Sequence, residues 1–214
     1  MKIAIFGASG LGREVADICA DTGYTDIVFL VKDQTEECLW QNKVFEDTPE
    51  IVKRLRQEGY KFAVGIGDPT IRRIIVEKYP DLDYPNLTHT SATFGQFQRG
   101  SLESSRGVII AAGCRITNNI DFGDFILLNL NVTVGHDTII GDFVSAMPSA
   151  NISGNVDVKS GVYIGTGSAI IHGGNDVKLI IGEGSVVGAG AVVTKDVPSG
   201  VTVVGIPAKP LNKT

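Results

Sequence analysis

The sequence predicts an α/β domain with a Rossmann-like βαβαβ order, followed by an all-β domain that winds as a parallel β-helix. Two patterns support this fold class. Roughly the first 85 residues alternate short apolar segments with helical ones, which is typical of a parallel sheet covered by helices. From residue 110 to residue 170 every sixth residue is apolar, and this period fits neither an α-helix nor a lone strand.

The elements of the first domain follow from apolar segments and helix-start signals. Apolar segments at residues 2–6, 27–30 and 61–66 predict three strands. A glycine-rich turn after residue 6 should lead into a helix that ends at about Thr22. Thr48 and Asp68 are each followed by proline, which predicts that they are the N-caps of two further helices. We place the domain boundary near residue 88, which gives domains 1–88 and 89–214.

The six-residue period defines the second domain. Its anchors are Ile110, Ile116, Phe122, Leu128, Val134, Ile140, Ala146, Ile152, Val158, Ile164 and Ile170. With 43% of the chain apolar, eleven such positions in succession would arise by chance about once in 10⁴ trials. Three hexads make one 18-residue triangular coil, so residues 18 apart should stack about 4.8 Å from each other. The next anchor, Ile181, comes late, which predicts a loop within residues 172–178 that is extruded from a corner.

Glycines directly follow several anchors, and we expect them to form the tight corners of the prism. A residue without a Cβ is favoured where the chain turns sharply. The glycines at this position of the hexad are Gly123, Gly135, Gly141 and Gly165.

Composition and charge limit the classes of function. The net charge of -5 and the isoelectric point near 5.2 argue against nucleic acid as a partner. The apolar start of the chain is too short to predict a signal peptide or a membrane span. Cys19, Cys38 and Cys114 lack the spacing of a metal site, so a cytoplasmic protein with reduced thiols is expected.

The glycine-rich turn after the first strand carries a phosphate-binding signal. Backbone N–H groups at such a turn, and at the start of the helix behind it, can hold the phosphates of a nucleotide or a nucleotide-sugar. The spacing Gly7-x-x-Gly10-x-Gly12 differs from the G-x-G-x-x-G pattern of dinucleotide sites. A purely structural turn and an NAD site are the two alternatives.

His136 is the candidate base of the second domain. It is the third residue of its hexad and should face outward, with Asn118 one coil below, Gly154 one coil above and His172 above Gly154. A base, a polar neighbour and a position without a side chain form a credible acyl-transfer site, with the Gly154 N–H as oxyanion donor. The alternatives are an exposed histidine without a role and, for His172, a structural position beside the loop.

Several motifs resemble the hexapeptide-repeat acyltransferases. They are Gly135-His136-Asp137 with the following Ile140-Gly141-Asp142, the segments 187–196 and 204–209, and the opening glycine-rich turn. Together they point to the NeuD-type sugar O-/N-acetyltransferases, closest to the UDP-4-amino-sugar and perosamine N-acetyltransferases. The resemblance implies a left-handed β-helix, acetyl-CoA as cosubstrate, no metal, and a homotrimer with acetyl-CoA in a groove between neighbouring subunits.

The resemblance also implies roles for individual residues. His136 would be the catalytic base, and Asp137 would orient it. The positions that would contact the nucleotide-sugar are Ser9, Gly10, Leu11, Asp33 and Gly67, with Asn118 added from the coil spacing. The positions that would contact acetyl-CoA are Ser145, Gly154, Thr166, Val186 and Lys209. Relatives often carry histidine where this chain has Leu11, and the loop at 173–179 is a second departure whose role the sequence leaves open.

The expected function is therefore acetyl-CoA-dependent N-acetylation of a nucleotide-linked amino-sugar, with a UDP-4-amino-4,6-dideoxy sugar favoured, in bacterial glycan biosynthesis. The nearest alternative is O-acetylation of a sugar or sialic acid. A γ-type carbonic anhydrase would need three zinc histidines at suitable offsets. His136 and His172 are two nominal coils apart, but His89, the third histidine of the chain, lies outside the regular coils. A non-catalytic structural trimer is the remaining alternative.

Overall fold

A five-stranded sheet forms the N-terminal part of the chain in the computed structural model, which describes residues 1–174 and 177–211. The strands are β1 Lys2–Phe6, β2 Asp26–Val31, β3 Cys38–Leu39, β4 Asn42–Glu46 and β5 Lys61–Val64, and their order is β3-β4-β2-β1-β5. The helices are α1 Gly10–Asp21, α2 Pro49–Gln57 and α3 Pro69–Lys78. Apolar residues of α1 pack on one face of the sheet, and those of α2 and α3 pack on the other.

The two N-caps predicted beside prolines are confirmed. The Thr48 hydroxyl accepts a hydrogen bond from the Ile51 N–H, and the Asp68 carboxylate accepts two from the N–H groups of Thr70 and Ile71. These side chains satisfy N–H groups that the first turn of a helix leaves unpaired.

The sequence prediction missed the β3–β4 hairpin, whose second strand pairs in parallel with β2. The hairpin turn places Trp40 and Gln41 at φ values of 49° and 70°. Turns of this kind usually carry asparagine, aspartate or glycine, and this one has none of them. The hairpin therefore gave no local signal.

The rest of the chain coils into a three-faced prism, which confirms the predicted fold class. Face 1 contains β6 Leu87–Thr88, β8 Ile109–Ile110, β11 Leu127–Leu128, β14 Ser145–Ala146, β17 Tyr163–Ile164, β20 Val186–Val187, β22 Thr202–Val204 and β23 Lys209–Pro210. Face 2 contains β7 Thr93–Phe94, β9 Arg115–Ile116, β12 Thr133–Val134, β15 Asn151–Ile152, β18 Ala169–Ile170 and β21 Val192–Val193. Face 3 contains β10 Asp121–Phe122, β13 Ile139–Ile140, β16 Val156–Val158 and β19 Leu179–Ile181.

The predicted spacing of 18 residues per coil is confirmed by the strand register. Thr133 pairs with Asn151, and Asn151 pairs with Ala169. The hexad anchors form a single buried core, apart from Phe122, which packs against it while partly exposed. In the first coil, a 3₁₀ helix at Gln98–Ser104 replaces a strand, and the buried Gln98 amide exchanges two hydrogen bonds with the main chain of Ile120.

The corners are built differently from the prediction. The residues with left-handed φ, near +60°, lie three positions after each anchor from Ile110 to Ile164 and not directly after it, and most of them are not glycine: Asn119, Phe125, Asn131, Asp137, Phe143, Ser149 and Asn155. The predicted corner glycines serve a different purpose. A side chain at Gly135 would begin 2.3 Å from the Gly154 nitrogen of the next coil, so glycine there permits close stacking of the coils.

A buried arginine on α3 ties the N-terminal part to face 1 of the β-helix. The Arg72 guanidinium donates to the main-chain oxygens of Ile66, Phe125, Phe143 and Val144 at 2.9–3.2 Å, and to the Ser145 hydroxyl at 2.9 Å. Burial lowers the pKa of Arg72 to about 10, so the group stays charged at neutral pH. The outward side chains of face 1 that lie under the N-terminal part, such as Leu127, are consequently buried.

Within residues 1–174 and 177–211, every helix is too short or too polar to cross a lipid bilayer.

Candidate functional site

His136, Asp137 and Asn119 form a chain of hydrogen bonds at the corner between faces 2 and 3. His136 Nδ1 lies 2.6 Å from Asp137 Oδ2, and Asp137 Oδ1 accepts from Asn119 Nδ2 at 2.6 Å. Both hydrogen bonds lower the pKa of the Asp137 carboxyl below its usual range, and the one from Asn119 has the larger effect. Asp137 is therefore ionised at neutral pH and oriented from both sides.

The left-handed backbone at this corner allows adjacent residues to meet. Asp137 has a φ of 59°, and this turns its carboxylate back towards the imidazole that precedes it in sequence. The His136 carbonyl accepts the Asn155 N–H from the coil above at 2.8 Å. His136 is thus held at both its main chain and its Nδ1 atom, while about half of its side chain stays exposed (56%).

The His136 imidazole lies directly against Gly154, the position without a side chain that the coil spacing placed above it. A side chain at Gly154 would begin 2.8 Å from His136 Nε2, so the imidazole itself covers this glycine. The His172 ring reaches the same place from the coil above, with its centroid 5.5 Å from that of His136. Gly154 thus makes room for the two imidazoles to approach each other.

Asn118 does not reach the imidazole, although the 18-residue spacing placed it below His136. Its side chain turns over the backbone of Gly95, where a Cβ would overlap the Asn118 amide oxygen. Only its main-chain carbonyl takes part, as acceptor of the Asp137 N–H at 3.2 Å. The residue that does contact the His136–Asp137 pair is Asn119, which lies 18 residues before Asp137.

The glycine-rich turn and the loop after β5 lie side by side. Ser9 and Gly10 are exposed at the start of α1, and the Ser9 side chain makes no capping hydrogen bond there. A side chain at Gly67 would begin 3.7 Å from Leu11 and 3.6 Å from Met147 of the β-helix. Asp33 is exposed and lines a cavity of about 300 Å³ that Ala8 and Arg13 also line.

The residues predicted to contact acetyl-CoA are divided between two regions of the prism. Gly154 lies beside His136, whereas Val186 and Lys209 belong to strands of face 1, and Thr166 follows β17 at the corner between faces 1 and 2. Ser145 has no exposed surface, and its hydroxyl donates to the Gly67 carbonyl at 2.7 Å and accepts from Arg72. Since a cosubstrate cannot touch Ser145 in this arrangement, the prediction for this residue was wrong.

The histidines do not assemble as a zinc enzyme requires. His89 Nε2 lies 3.2 Å from an Asp21 carboxylate oxygen, in the N-terminal part of the chain. In the described part of the chain, no three side chains of histidine, cysteine, aspartate or glutamate are grouped as metal ligands. The carbonic anhydrase alternative depends on three converging histidines, and the described residues do not bring His89 together with His136 and His172.

Comparison with known proteins places these features in a family. Residues 2–79 match the PglD N-terminal domain. A segment of 108 residues, half of this chain and 49% of the relative, is 42% identical to GDP-perosamine N-acetyltransferase of Escherichia coli O157:H7. The chain thus spans about half the length of that curated relative.

Two solved structures match along almost the whole chain. The acetyltransferase domain of PglB from Neisseria gonorrhoeae FA1090, in complex with acetyl coenzyme A, is 33% identical, with a TM-score of 0.85 and coverage of 98% of both chains. PerB from Caulobacter crescentus, in complex with CoA and GDP-perosamine, is 26% identical, with a TM-score of 0.86 and coverage of 99% of this chain and 98% of PerB.

The fold and the site thus define a hexapeptide-repeat acyltransferase with an N-terminal Rossmann-like domain. The chain belongs to the NeuD-type family of sugar acetyltransferases, in which the PglB domain and PerB are relatives of known structure.

Proposed function

We propose that this protein transfers the acetyl group of acetyl-CoA to the amino group of a nucleotide-linked amino-sugar, with His136 as the base. The observation that carries the proposal is the Asn119–Asp137–His136 chain of hydrogen bonds on a family scaffold. The complexes named for the PglB domain and PerB support the cosubstrate and the class of acceptor. A cytoplasmic location, expected from the free thiols, belongs to the same proposal.

The hydrogen bond to Asp137 determines which nitrogen of His136 acts. Because an ionised carboxylate only accepts, Nδ1 carries the proton in this pair, and the tautomer leaves the Nε2 lone pair free. Nε2 can then take a proton from the attacking amine. Asp137 stabilises the imidazolium that results, as the acidic member of a catalytic triad does.

The reaction is a direct transfer without an acyl-enzyme. The neutral amine attacks the thioester carbonyl, its N–H proton passes to His136 Nε2, and the C–S bond breaks. The imidazolium then returns this proton to the departing thiolate, so that the products are the N-acetyl sugar and CoA. A positioned base contributes about 10²–10⁴-fold, whereas holding both substrates in attack geometry can lower the barrier by roughly 7–11 kcal/mol. Positioning of the two substrates therefore accelerates the transfer more than the base does.

The Gly154 N–H is the proposed donor to the oxyanion. Among the described residues it donates to no protein acceptor, so a hydrogen bond to the developing charge would be an added interaction. The proposed contacts of acetyl-CoA remain Thr166, Val186 and Lys209, and Lys209 would contact a CoA phosphate. The proposed contacts of the nucleotide-sugar remain Ser9, Gly10, Leu11, Asp33 and Gly67.

The position of His136 favours an active site shared between subunits. The N-terminal part packs on face 1, whereas His136 lies at the corner between faces 2 and 3, which is opposite face 1 in a triangular prism. A sugar held by the glycine-rich turn of one protomer is thus across the prism from His136 of the same protomer. A homotrimer would bring the turn of one subunit to His136 of the next, as closed symmetry permits.

Mixed trimers test this arrangement. We expect His136→Asn and Gly10→Phe to be inactive separately, the first for lack of the base and the second because a phenyl ring blocks the phosphate turn. A side chain at Gly10 meets no atom within 4 Å, so the second variant should fold. After equal mixing and subunit exchange, about a quarter of the sites should combine one intact His136 with an intact neighbouring turn. A site contained within one protomer would recover no activity, and a stable active monomer in light scattering would exclude the trimer.

A substrate panel tests the chemistry. CoA release should be followed with UDP-, GDP- and dTDP-linked 4-amino sugars and with the matching 4-hydroxy sugars. We expect turnover with an amino-sugar and little with its hydroxy analogue, and we favour the UDP-linked substrate. Turnover restricted to hydroxy sugars would establish the O-acetyltransferase alternative. Absence of turnover with every substrate, in a protein that binds acetyl-CoA, would favour the structural trimer.

A further inference from the structure

A five-residue insertion lies directly above the His136 corner. Ile139 pairs with Asp157 at the ordinary spacing of 18, but Asp157 pairs with Ile180, which is 23 residues further on. The extra residues fall between β18 and β19, where face 2 turns into face 3, and His136 lies at the same corner two coils below.

The insertion is anchored to that corner through Asn155. The Asn155 side-chain nitrogen donates to the carbonyls of Gly174 and Val177, which both lie between β18 and β19. The Leu179 N–H donates to the Asn155 carbonyl at 3.1 Å, and the Gly173 N–H donates to the Gly154 carbonyl at 3.1 Å. These contacts fix Gly173, Gly174, Val177 and Leu179 to the coil that covers His136.

Lys178 extends the connection down to the catalytic pair. Its half-buried ammonium group donates to the main-chain carbonyl of Asp137, two coils below, and to Asn155 Oδ1 at 3.3 Å. Asp137 is held in the left-handed conformation, with a φ of 59°, and its carboxylate orientation depends on that conformation. A charged donor on its carbonyl therefore acts on the orientation of His136.

We propose that Lys178 is a positioning residue, which clamps the corner at Asp137 and thereby holds the His136 imidazole in its catalytic orientation. The proposal rests on the role proposed for His136. In the strand register Lys178 is stacked above Asn155, and Asn155 above Asp137, so the lysine occupies the corner position that directly follows the insertion. Lys178 contacts neither the attacking amine nor the thioester carbonyl and acts through Asp137.

The test compares Lys178→Met, Lys178→Arg and a matched control, Lys195→Met. Lys195 is an exposed lysine that lines the same cavity of about 270 Å³ as Lys178 but makes no hydrogen bond with Asp137. Since a misplacement of about 1 Å can cost on the order of 10²-fold, we expect Lys178→Met to lower kcat by about 10- to 10²-fold. The KM for acetyl-CoA and the midpoint of thermal unfolding should change little, and Lys178→Arg should recover most of the loss. Lys195→Met should match the parent protein.

A spectroscopic readout keeps this proposal separate from the proposed activity. The ¹⁵N signals of the His136 ring, assigned with His136→Asn, report the proton that Nδ1 shares with Asp137. We expect Lys178→Met to weaken this signature even in a protein without turnover. Unchanged kcat and unchanged ring signals in Lys178→Met would overturn the positioning role. A loss of kcat that arginine does not restore, or that only follows a loss of thermal stability, would overturn it as well.

Discussion

Replacing Arg72 by methionine should make the N-terminal sheet unfold at a lower denaturant concentration than the β-helix. The guanidinium makes its five hydrogen bonds to four main-chain carbonyls and one hydroxyl, and no carboxylate is among these partners. Methionine fills a similar volume and removes the charge, so the variant does not leave an unpaired ion in the interior. What remains is a set of buried acceptors that have lost their donor.

The expected loss follows from these acceptors. Leaving a buried polar group unpaired costs about 1–3 kcal/mol, and hydrogen bonds from a charged donor are at the upper end. The acceptors come from three places, Ile66 before α3 and the chain around Phe125 and around Phe143, and partial relaxation is expected at each. We therefore expect Arg72→Met to lower the free energy of unfolding by about 3–5 kcal/mol.

Denaturant unfolding can measure this loss with two probes. Trp40 is the only tryptophan of the chain and reports on the N-terminal sheet by fluorescence, while circular dichroism reports on all strands. In the parent protein both probes should follow one transition, and in Arg72→Met the fluorescence transition should move to lower denaturant. Ser145→Ala removes one of the five acceptors of Arg72 and the donor to the Gly67 carbonyl, and it should cost about 1–3 kcal/mol. A loss below about 1 kcal/mol for Arg72→Met would refute the view that the guanidinium fastens the two parts together.

Three further predictions concern the corner that carries His136. Gly154→Leu should displace the His136 ring, because a side chain at Gly154 begins 2.8 Å from His136 Nε2. We expect kcat to fall by at least about 10²-fold. Normal turnover would show that the ring is free to move. Asn119→Ala should raise the pKa of Asp137 towards its usual range, because the hydrogen bond from Asn119 is the largest cause of the lowered pKa. A ¹³C titration of the Asp137 carboxyl would measure the change. Because that pKa is lowered in the folded state, the stability supplied by Asp137 is present above its ordinary pKa and is lost as the pH falls through the folded value. Acid unfolding of Asn119→Ala should therefore depend less on pH in the range below the ordinary pKa than that of the parent, and identical profiles would contradict this.

The β-helix could be predicted because its signal is repeated. A period of six and a stacking distance of 18 residues place Thr133 beside Asn151 without any knowledge of loops or long-range contacts. The β3–β4 hairpin occurs once and is short, and its turn lacks the usual residues, so no periodic or local pattern marks it. Arg72 gave no signal either, because its partners are main-chain carbonyls, which every residue possesses.

The neighbours of His136 were predicted in part, and the errors at this corner share one cause. The 18-residue step was taken from His136, which leads to Asn118 and Gly154, on the assumption that side chains of one hexad position point alike. The left-handed residue after His136 changes this, because it turns the Asp137 carboxylate back onto the ring and brings Asn119 into contact with it. The same step taken from Asp137 leads to Asn119 below, which donates to the Asp137 carboxylate, and to Asn155 above, whose N–H donates to the His136 carbonyl. In a coil of this kind, the partners of a catalytic residue are therefore found by stepping from the corner position, where the backbone determines the direction of the side chain.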